Sequence, residues 1–279
     1  MIRLENLSKN YNSLRALNNV TLEVPQGELF AYLGPNGAGK TTTIRILTGL
    51  TNKTSGNAWV GGYNIETEAV LAKRQCGSVP QLLNLDEELT ISQNLDIHCR
   101  LYNIPRKRAR DRVSWLLDYV GLADRHNSPI KNLSGGMKRR TIIARALAHE
   151  PKALFLDEPT VGLDPEIRRR IWGLIKKIQQ DGTTVFLTTH YIEEAEFLAD
   201  RVAFLSEGVL VALDSPKNLI KNIGQHAVDV VGRDGIETHY FGSGEEAKHY
   251  MSTQDSQLTM RRANLEDAFL RLTGKQITC

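Results

Sequence analysis

The chain has 279 residues, 41% hydrophobic and 24% charged, with Lys+Arg 35 against Asp+Glu 32 for a formal net charge of +3. That length suffices for one large domain, or one domain and a small annex, around a real hydrophobic core, and the near-balanced charge does not point to a dedicated nucleic-acid binder. No uncharged apolar run of about 18 residues occurs, the opening MIRLENLSKNY lacks the apolar stretch of a signal peptide, and Cys76, Cys99 and Cys279 fit neither C-x-x-C nor a zinc spacing, which reads as reduced cytosolic thiols.

Residues 2–5 and 20–24 alternate apolar and polar side chains, the period of half-buried strands. Pro25-Gln26-Gly27 makes a turn, and the mostly apolar run 28–33 predicts a buried strand. It meets the glycine-rich string Gly34 to Thr41, after which 42–50 predicts a helix ending at Gly49 or Leu50. A hairpin is expected over 55–65, a short helix over 69–74 and a strand over 77–79, stopping at Pro80-Gln81. From 90 to 124 the spacing turns helical: Ile91, Leu95 and His98 share one side, then Val113, Leu116, Leu117 and Val120, with Pro105 dividing two helices. Arg106-Lys107-Arg108-Ala109-Arg110 reads as a solvated helix face, with contact to anionic lipid headgroups as the sharper alternative.

Leu133-Ser134-Gly135-Gly136 opens a helix through Ala148, and 153–157 is an apolar strand ending in acids. A helix over 166–180, a strand over 184–188, a helix over 192–198 and a hairpin of 202–205 with 209–213 around Glu207-Gly208 follow. Strands alternating with helices predict a parallel sheet with crossovers. Ser215-Pro216 marks a boundary. Beyond it come strands at 228–231 and 236–240 around a Gly232-Arg233-Asp234-Gly235 turn, a helix over 245–251, an extended stretch at 258–260 and a helix over 265–272, which Asn264 can cap with Asp267 three residues on.

Gly34-Pro35-Asn36-Gly37-Ala38-Gly39-Lys40-Thr41 fits G-x-x-x-x-G-K-[ST] at every fixed position, between a buried strand and a helix. Glycines let backbone N–H groups turn inward around phosphate oxygens, and the helix start adds a favourable dipole. Lys40 places a point charge on the β- and γ-phosphates, the Thr41 hydroxyl can ligate Mg²⁺, and Thr42 completes the nucleotide-binding stretch. Asp157, ending an apolar strand, supplies a metal-side carboxylate acting through water. Glu158 directly after it is the candidate general base for the attacking water.

Leu133-Ser134-Gly135-Gly136-Met137-Lys138-Arg139-Arg140 resembles the signature of ABC transporter ATPase subunits, and it occurs in that family's order with the phosphate loop and Asp157-Glu158-Pro159-Thr160. The resemblance covers Met1 to about Leu213. It implies that Tyr11 stacks on adenine, that Gln81 is the Q-loop glutamine touching Mg²⁺ or the attacking water, that Gly162-Leu163-Asp164-Pro165 is the D-loop, and that His190 is the switch histidine contacting the γ-phosphate. It further implies that Ser134, Gly135 and Gly136 close on ATP held by an opposite protomer, in a homodimer or heterodimer. Glu158, His190, Gln81 and Lys40 are then catalytic, and Thr41, Gln81 and Asp157 form the metal side. Met137 stands where the family most often has glutamine. That methionine and the segment 264–274 resemble the exporter branch that handles drugs, polysaccharides or lipid-linked molecules. Gln93 stands where a glutamate is more usual.

The implied fold is α/β: a P-loop NTPase of ABC type with a mixed sheet core, an antiparallel β subdomain and a helical insertion at about 82–132, all within 1–213. A small C-terminal α+β annex, 214–279, is expected to regulate or dimerise the protein, or to cap its core. The implied function is an ATP-binding and ATP-hydrolysing subunit, using ATP and Mg²⁺. It would power transport, most simply export, through a separately encoded membrane permease at the cytoplasmic face of the cell membrane. An importer ATPase or a soluble non-transport ABC ATPase are the alternatives. Ribosome-acting members usually carry two ATPase domains, whereas one phosphate loop and one signature occur here, too close together for a long coiled coil between them. Nothing in the sequence identifies the cargo.

Overall fold

The computed structural model describes residues 1–232, 235–254 and 257–274; Arg233 and Asp234 of the expected turn, and Cys279, lie outside the described residues. The opening alternation becomes two long antiparallel strands, β1 (Ile2–Tyr11) and β2 (Leu14–Val24), with Ile2, Leu4 and Leu7 opposite Val24, Leu22 and Val20. Register shifts between Leu4 and Leu7 and on either side of Lys9 interrupt the period, so the alternation marks only part of each strand. β3 (Leu29–Leu33) is buried at every position, as a strand covered on both faces must be. α1 (Lys40–Leu47) starts two residues earlier than its sequence suggests, because Gly39, at φ 107°, turns the chain directly into helix.

β4 (Ser55–Val60) and β5 (Tyr63–Asn64) form the expected hairpin, followed by α2 (Ala69–Arg74) and β6 (Cys76–Val79). The insertion carries α3 (Ile91–Leu101) and α4 (Arg106–Tyr119). Gln93 has a local purpose there: with Thr90 it closes a reciprocal capping box at the start of α3. On α4 Ala109 is buried while Arg106, Lys107, Arg108 and Arg110 are exposed. α5 (Gly135–Ala146), β7 (Ala153–Asp157), α6 (Pro165–Gln180), β8 (Thr184–Thr189), α7 (Ile192–Leu198), β9 (Arg201–Ser206) and β10 (Val209–Asp214) complete the alternating stretch.

Ser215-Pro216, which the sequence marks only as a boundary, starts a helix. The Ser215 hydroxyl caps α8 (Pro216–Ile223) by accepting a bond from the Asn218 N–H. Two turns with only Leu219 and Ile223 buried leave too short a pattern to read by period. β11 (His226–Gly232), β12 (Gly235–Phe241), α9 (Gly244–Ser252), β13 (Leu258–Arg262) and α10 (Leu265–Thr273) follow, α10 opened by the expected Asn264–Asp267 capping box.

Among the described residues three sheets result, in the orders β2-β1-β4-β5, β10-β9-β3-β8-β7-β6 and β12-β11-β13. The first and third are antiparallel; the second is parallel except for β10. The fold is thus the α/β P-loop architecture with a mixed core sheet. Strand parity divides the core. Phe30, Tyr32, Phe155 and Phe186 pack with β1, β2 and α1, whereas Leu29, Ala31, Leu33 and Leu156 pack with the helices α3 to α7. That second core continues beyond residue 214, through Leu219, Ile223, Ala227 and Phe269. Phe269 meets Phe204 of β9 edge to face at 5.2 Å. Among the described residues no helix is long and apolar enough to cross a membrane.

Since Phe269 is fully buried in a core shared with the central sheet, Phe269→Ala is expected to lower global stability by about 3–5 kcal/mol. Urea denaturation followed by tryptophan fluorescence checks this. An unchanged main transition beside early melting of the C-terminal segment would show that the shared core does not couple them.

Candidate active site

Parallel strands end here at one level. Leu33 of β3 pairs with Thr189 of β8, and Asp157 of β7 pairs with Thr188, so Gly34, Glu158 and His190 leave the sheet along the same edge. β6 is the next strand out, with Val79 opposite Leu156, and it delivers Pro80 and Gln81 there too. The space outside the carboxyl ends of such strands is where open α/β sheets hold ligands.

The phosphate loop is squeezed on two sides, which explains its outer glycines. A Cβ on Gly34 would lie 2.2 Å from the Leu205 carbonyl oxygen, and one on Gly39 2.5 Å from that of Ala16. Inside the loop the Ala38 N–H donates to Pro35 (3.1 Å), while the Ala38 carbonyl accepts from Gly208 (3.0 Å). The first-turn N–H groups of α1, those of Lys40, Thr41 and Thr42, have no intrahelical acceptor, and the helix dipole is positive there. Loop, helix start and Lys40 together make an anion cradle.

Lys40 is folded back into that cradle. Its Nζ donates to the carbonyls of Gly34 (2.7 Å) and Pro35 (3.2 Å) and lies 3.3 Å from Glu158 Oε1. Burial pushes the ammonium below the usual lysine range, and the negative charge of Glu158 opposes that shift. Beside it, the Thr41 hydroxyl donates to Asp157 Oδ1 at 3.0 Å, and the Thr188 hydroxyl donates to the same oxygen at 2.6 Å.

Glu158 is the most constrained residue of the group. Its φ of 49° is left-handed, a geometry that costs a non-glycine residue on the order of 1 kcal/mol or more and persists only where surroundings hold it. Here the Glu158 N–H donates to the Thr188 carbonyl at 3.0 Å. The turn aims a buried carboxylate at two partners: Oε1 faces Lys40, and Oε2 lies 2.9 Å from His190 Nδ1. The contact leaves His190 Nε2 as the ring nitrogen not engaged with Glu158.

Not every predicted residue joins this cluster. Gln81 is exposed, and its backbone carbonyl, not its amide, is engaged, accepting from Arg139 at 3.2 Å. Ser134 caps α5 by accepting from the Met137 N–H at 3.3 Å; Ser134 and Gly135 are exposed, and neither they nor Gly136 share a hydrogen bond with residues 34–42. Tyr11 ends β1, 39% exposed as a residue, with the Lys9 ammonium 4.6 Å from its ring centroid. Its partner Leu14 starts β2, the strand whose Ala16 and Leu17 lean on Gly39.

Two contributors were not legible in the sequence. Thr188 gains its place on Asp157 only from the pairing of β7 with β8. The nearly buried Arg139 guanidinium donates to the Pro80 and Gln81 carbonyls at 3.0 and 3.2 Å, tying α5 to the segment after β6; only its charge inside an otherwise packed helix hints at this. If the buried Lys40–Glu158 pair matters as described, Lys40→Met strands a carboxylate and lowers the stability of the nucleotide-free protein by about 3 kcal/mol. Adding Glu158→Gln should recover part of that loss in a double-mutant cycle of urea midpoints. Additive losses would mean that the two side chains do not interact.

Comparison with known proteins places the fold in a family. The model of the ABC transporter family matches residues 17–161. The chain is 37% identical to Nod factor export ATP-binding protein I of Ralstonia nicotianae, over 99% of this chain and 95% of that protein. It is 40% identical to the linearmycin resistance ATP-binding protein LnrL of Bacillus subtilis, over 85% of this chain and 76% of that one. Among solved structures, cbiO1 of Clostridium perfringens, part of the ABC transporter complex cbiONQ, superposes with a TM-score of 0.73 at 30% identity, covering 78% of this chain and 89% of that one. A dimeric ATP-binding cassette, MJ0796, bound to ADP and Pi, gives 0.69 at 31% identity, covering 77% of this chain and 98% of that one. With its phosphate loop, paired acids and signature helix on the matching fold, the chain belongs to the ABC transporter family, as an ATP-binding, ATP-hydrolysing subunit.

Proposed function

We propose that this subunit drives export through a separately encoded membrane permease, working as one of a pair of ATPase subunits at the cytoplasmic face of the cell membrane. The observation that carries the hydrolytic half is the Glu158 carboxylate, buried between Lys40 and His190 at the end of β7. Export is supported by relatives named for Nod factor export and linearmycin resistance, together with Met137 and the 264–274 segment.

ATP is the substrate. Its phosphates settle among residues 34–42, and Tyr11, half open at the edge of β1, stacks on the base. The incoming triphosphate offers Lys40 better acceptors than Glu158 and two carbonyls, so Lys40 changes partners. Glu158 Oε1 is then free to take a proton from the attacking water. His190 keeps Oε2 through Nδ1 and presents Nε2 to the terminal phosphate. The water oxygen bonds to phosphorus as the bond to ADP breaks, and ADP and phosphate leave.

The residues present fit Mg²⁺. The Thr41 hydroxyl and Asp157 carboxylate, 3.0 Å apart, are hard oxygens of the kind that ion takes beside phosphates and waters, and the Gln81 amide is the proposed third contact. Bound Mg²⁺ neutralises charge on the β- and γ-phosphates. The exposed start of α5 at Ser134 and Gly135 is an anion-binding element without an anion in its own chain, and the ATP of a second subunit is the proposed partner. The dimeric form of the related MJ0796 cassette supports that pairing.

Glu158→Gln is expected to bind ATP, lose turnover by on the order of 100-fold or more, and accumulate as a nucleotide-dependent dimer on gel filtration. Wild-type steady-state hydrolysis in that variant would defeat the assignment. Thr41→Val is expected to raise the magnesium concentration for half-maximal hydrolysis by roughly 10-fold or more, measured as rate against magnesium at saturating ATP. An unchanged requirement would remove Thr41 from the metal side.

A further inference from the structure

We infer that Glu194, on α7, is a positioning residue for hydrolysis: it ties the segment that follows Glu158 to the helix that follows His190, and so fixes those two side chains against each other. The inference rests on the reading of Glu158 and His190 proposed above and adds a residue that no motif singles out.

Glu194 is fully buried. One carboxylate oxygen, Oε1, accepts from two donors at once: the Thr160 hydroxyl at 2.8 Å and the Trp172 indole N–H at 2.8 Å. The other oxygen, Oε2, has no partner at full hydrogen-bond geometry. Burial pushes the carboxyl's pKa up, the Thr189 side chain is the polar group that holds it down from nearby, and Arg168 also faces the group.

A fully buried carboxylate is a poor stabiliser unless it is paired, and the nearby cations act on this one only through space. Arg139 feels the charge of Glu194, but its two terminal nitrogens donate to the Pro80 and Gln81 carbonyls and its Nε reaches no acceptor. Arg168 lies 4.2 Å over the ring of Tyr191, whose own ring meets His190 at 4.3 Å, tilted by 39°. Neither closes an ion pair with Glu194 among the described residues. What the carboxylate does supply is geometry. Thr160 is two residues past Glu158, and Glu194 is one helical turn past His190. Oε1 therefore bridges the two chain segments whose separation sets the contact of 2.9 Å between Glu158 and His190. Trp172 of α6 braces the same oxygen from the far side. Without the bridge, the segment at Thr160 is free to shift, and the left-handed turn at Glu158 loses one of the restraints that hold it.

The test uses the full chain and three variants, with kcat and KM for ATP, ATP binding and melting temperature measured on each. Glu194→Ala is expected to lower kcat on the order of 10- to 100-fold while KM stays within about 2-fold, the mark of an effect on the chemical step. Glu194→Gln should restore most of kcat, because an amide oxygen accepts the same two bonds. Thr160→Val, which removes one bond and little volume, should lower kcat in the same direction. A folded Glu194→Ala with wild-type kcat, a Glu194→Gln as impaired as Glu194→Ala, or a Thr160→Val with wild-type kcat would each overturn the inference. Should Glu194→Ala not fold, Thr160→Val decides it. An inactive Glu158→Gln beside a fully active Thr160→Val refutes this inference alone, whereas an active Glu158→Gln refutes the site itself.

Discussion

An ammonium and a carboxylate are buried together where three parallel strands end, and the rest of the site is arranged around keeping that pair in reach of a phosphate. Lys40 comes from the helix after β3, Glu158 from the end of β7, and His190 from the end of β8. Nothing local brings them together; the sheet register does. A slip of one residue between β7 and β8 would turn Asp157 away from Thr188 and carry Glu158 off His190. The aromatic layer of Phe30, Tyr32, Phe155 and Phe186 underneath pins these same strands. The packing of the core is in this sense the first determinant of the chemistry.

The same dependence explains what could be read from the residues alone. The phosphate loop, the acids after 153–157 and the caps at Ser134 and Asn264 are local, each fixed by a few neighbouring residues, and each stands where the spacing puts it. The resemblance of 133–140 to an ABC signature supplied the family and with it the outline of the fold. Contacts that depend on pairing distant segments were not accessible. Thr188 reads as one more strand threonine until β8 is laid beside β7, and Arg139 reads as one more basic residue of α5 until the Pro80 and Gln81 carbonyls lie beside it. α8 escaped for a different reason: two turns with two buried residues carry almost no periodic signal.

Residues beyond 214 are built into the machine more closely than a linear reading conveys. α10 and α8 share apolar contacts with the helices around the core sheet, and the Leu265 N–H donates to Glu196 on α7 at 3.1 Å. Within the segment, Arg261 clamps Asp229 and Asp267, and the Asp267 carboxylate also accepts from the Asn264 N–H at 2.8 Å. α7 thereby has His190 just before its start and the C-terminal segment at its other end.

Central to the account is the exchange of Lys40 from Glu158 to the terminal phosphate, which turns a neutralised carboxylate into a base. The most direct measurement is an experimental structure of the chain with Mg²⁺ and a non-hydrolysable ATP analogue, read against the 3.3 Å separation of Lys40 Nζ from Glu158 Oε1 without nucleotide. The account predicts Lys40 on the terminal phosphate, with Glu158 Oε1 open to a water while Oε2 stays on His190. Phosphates seated in the loop with Lys40 still against Glu158 would contradict it.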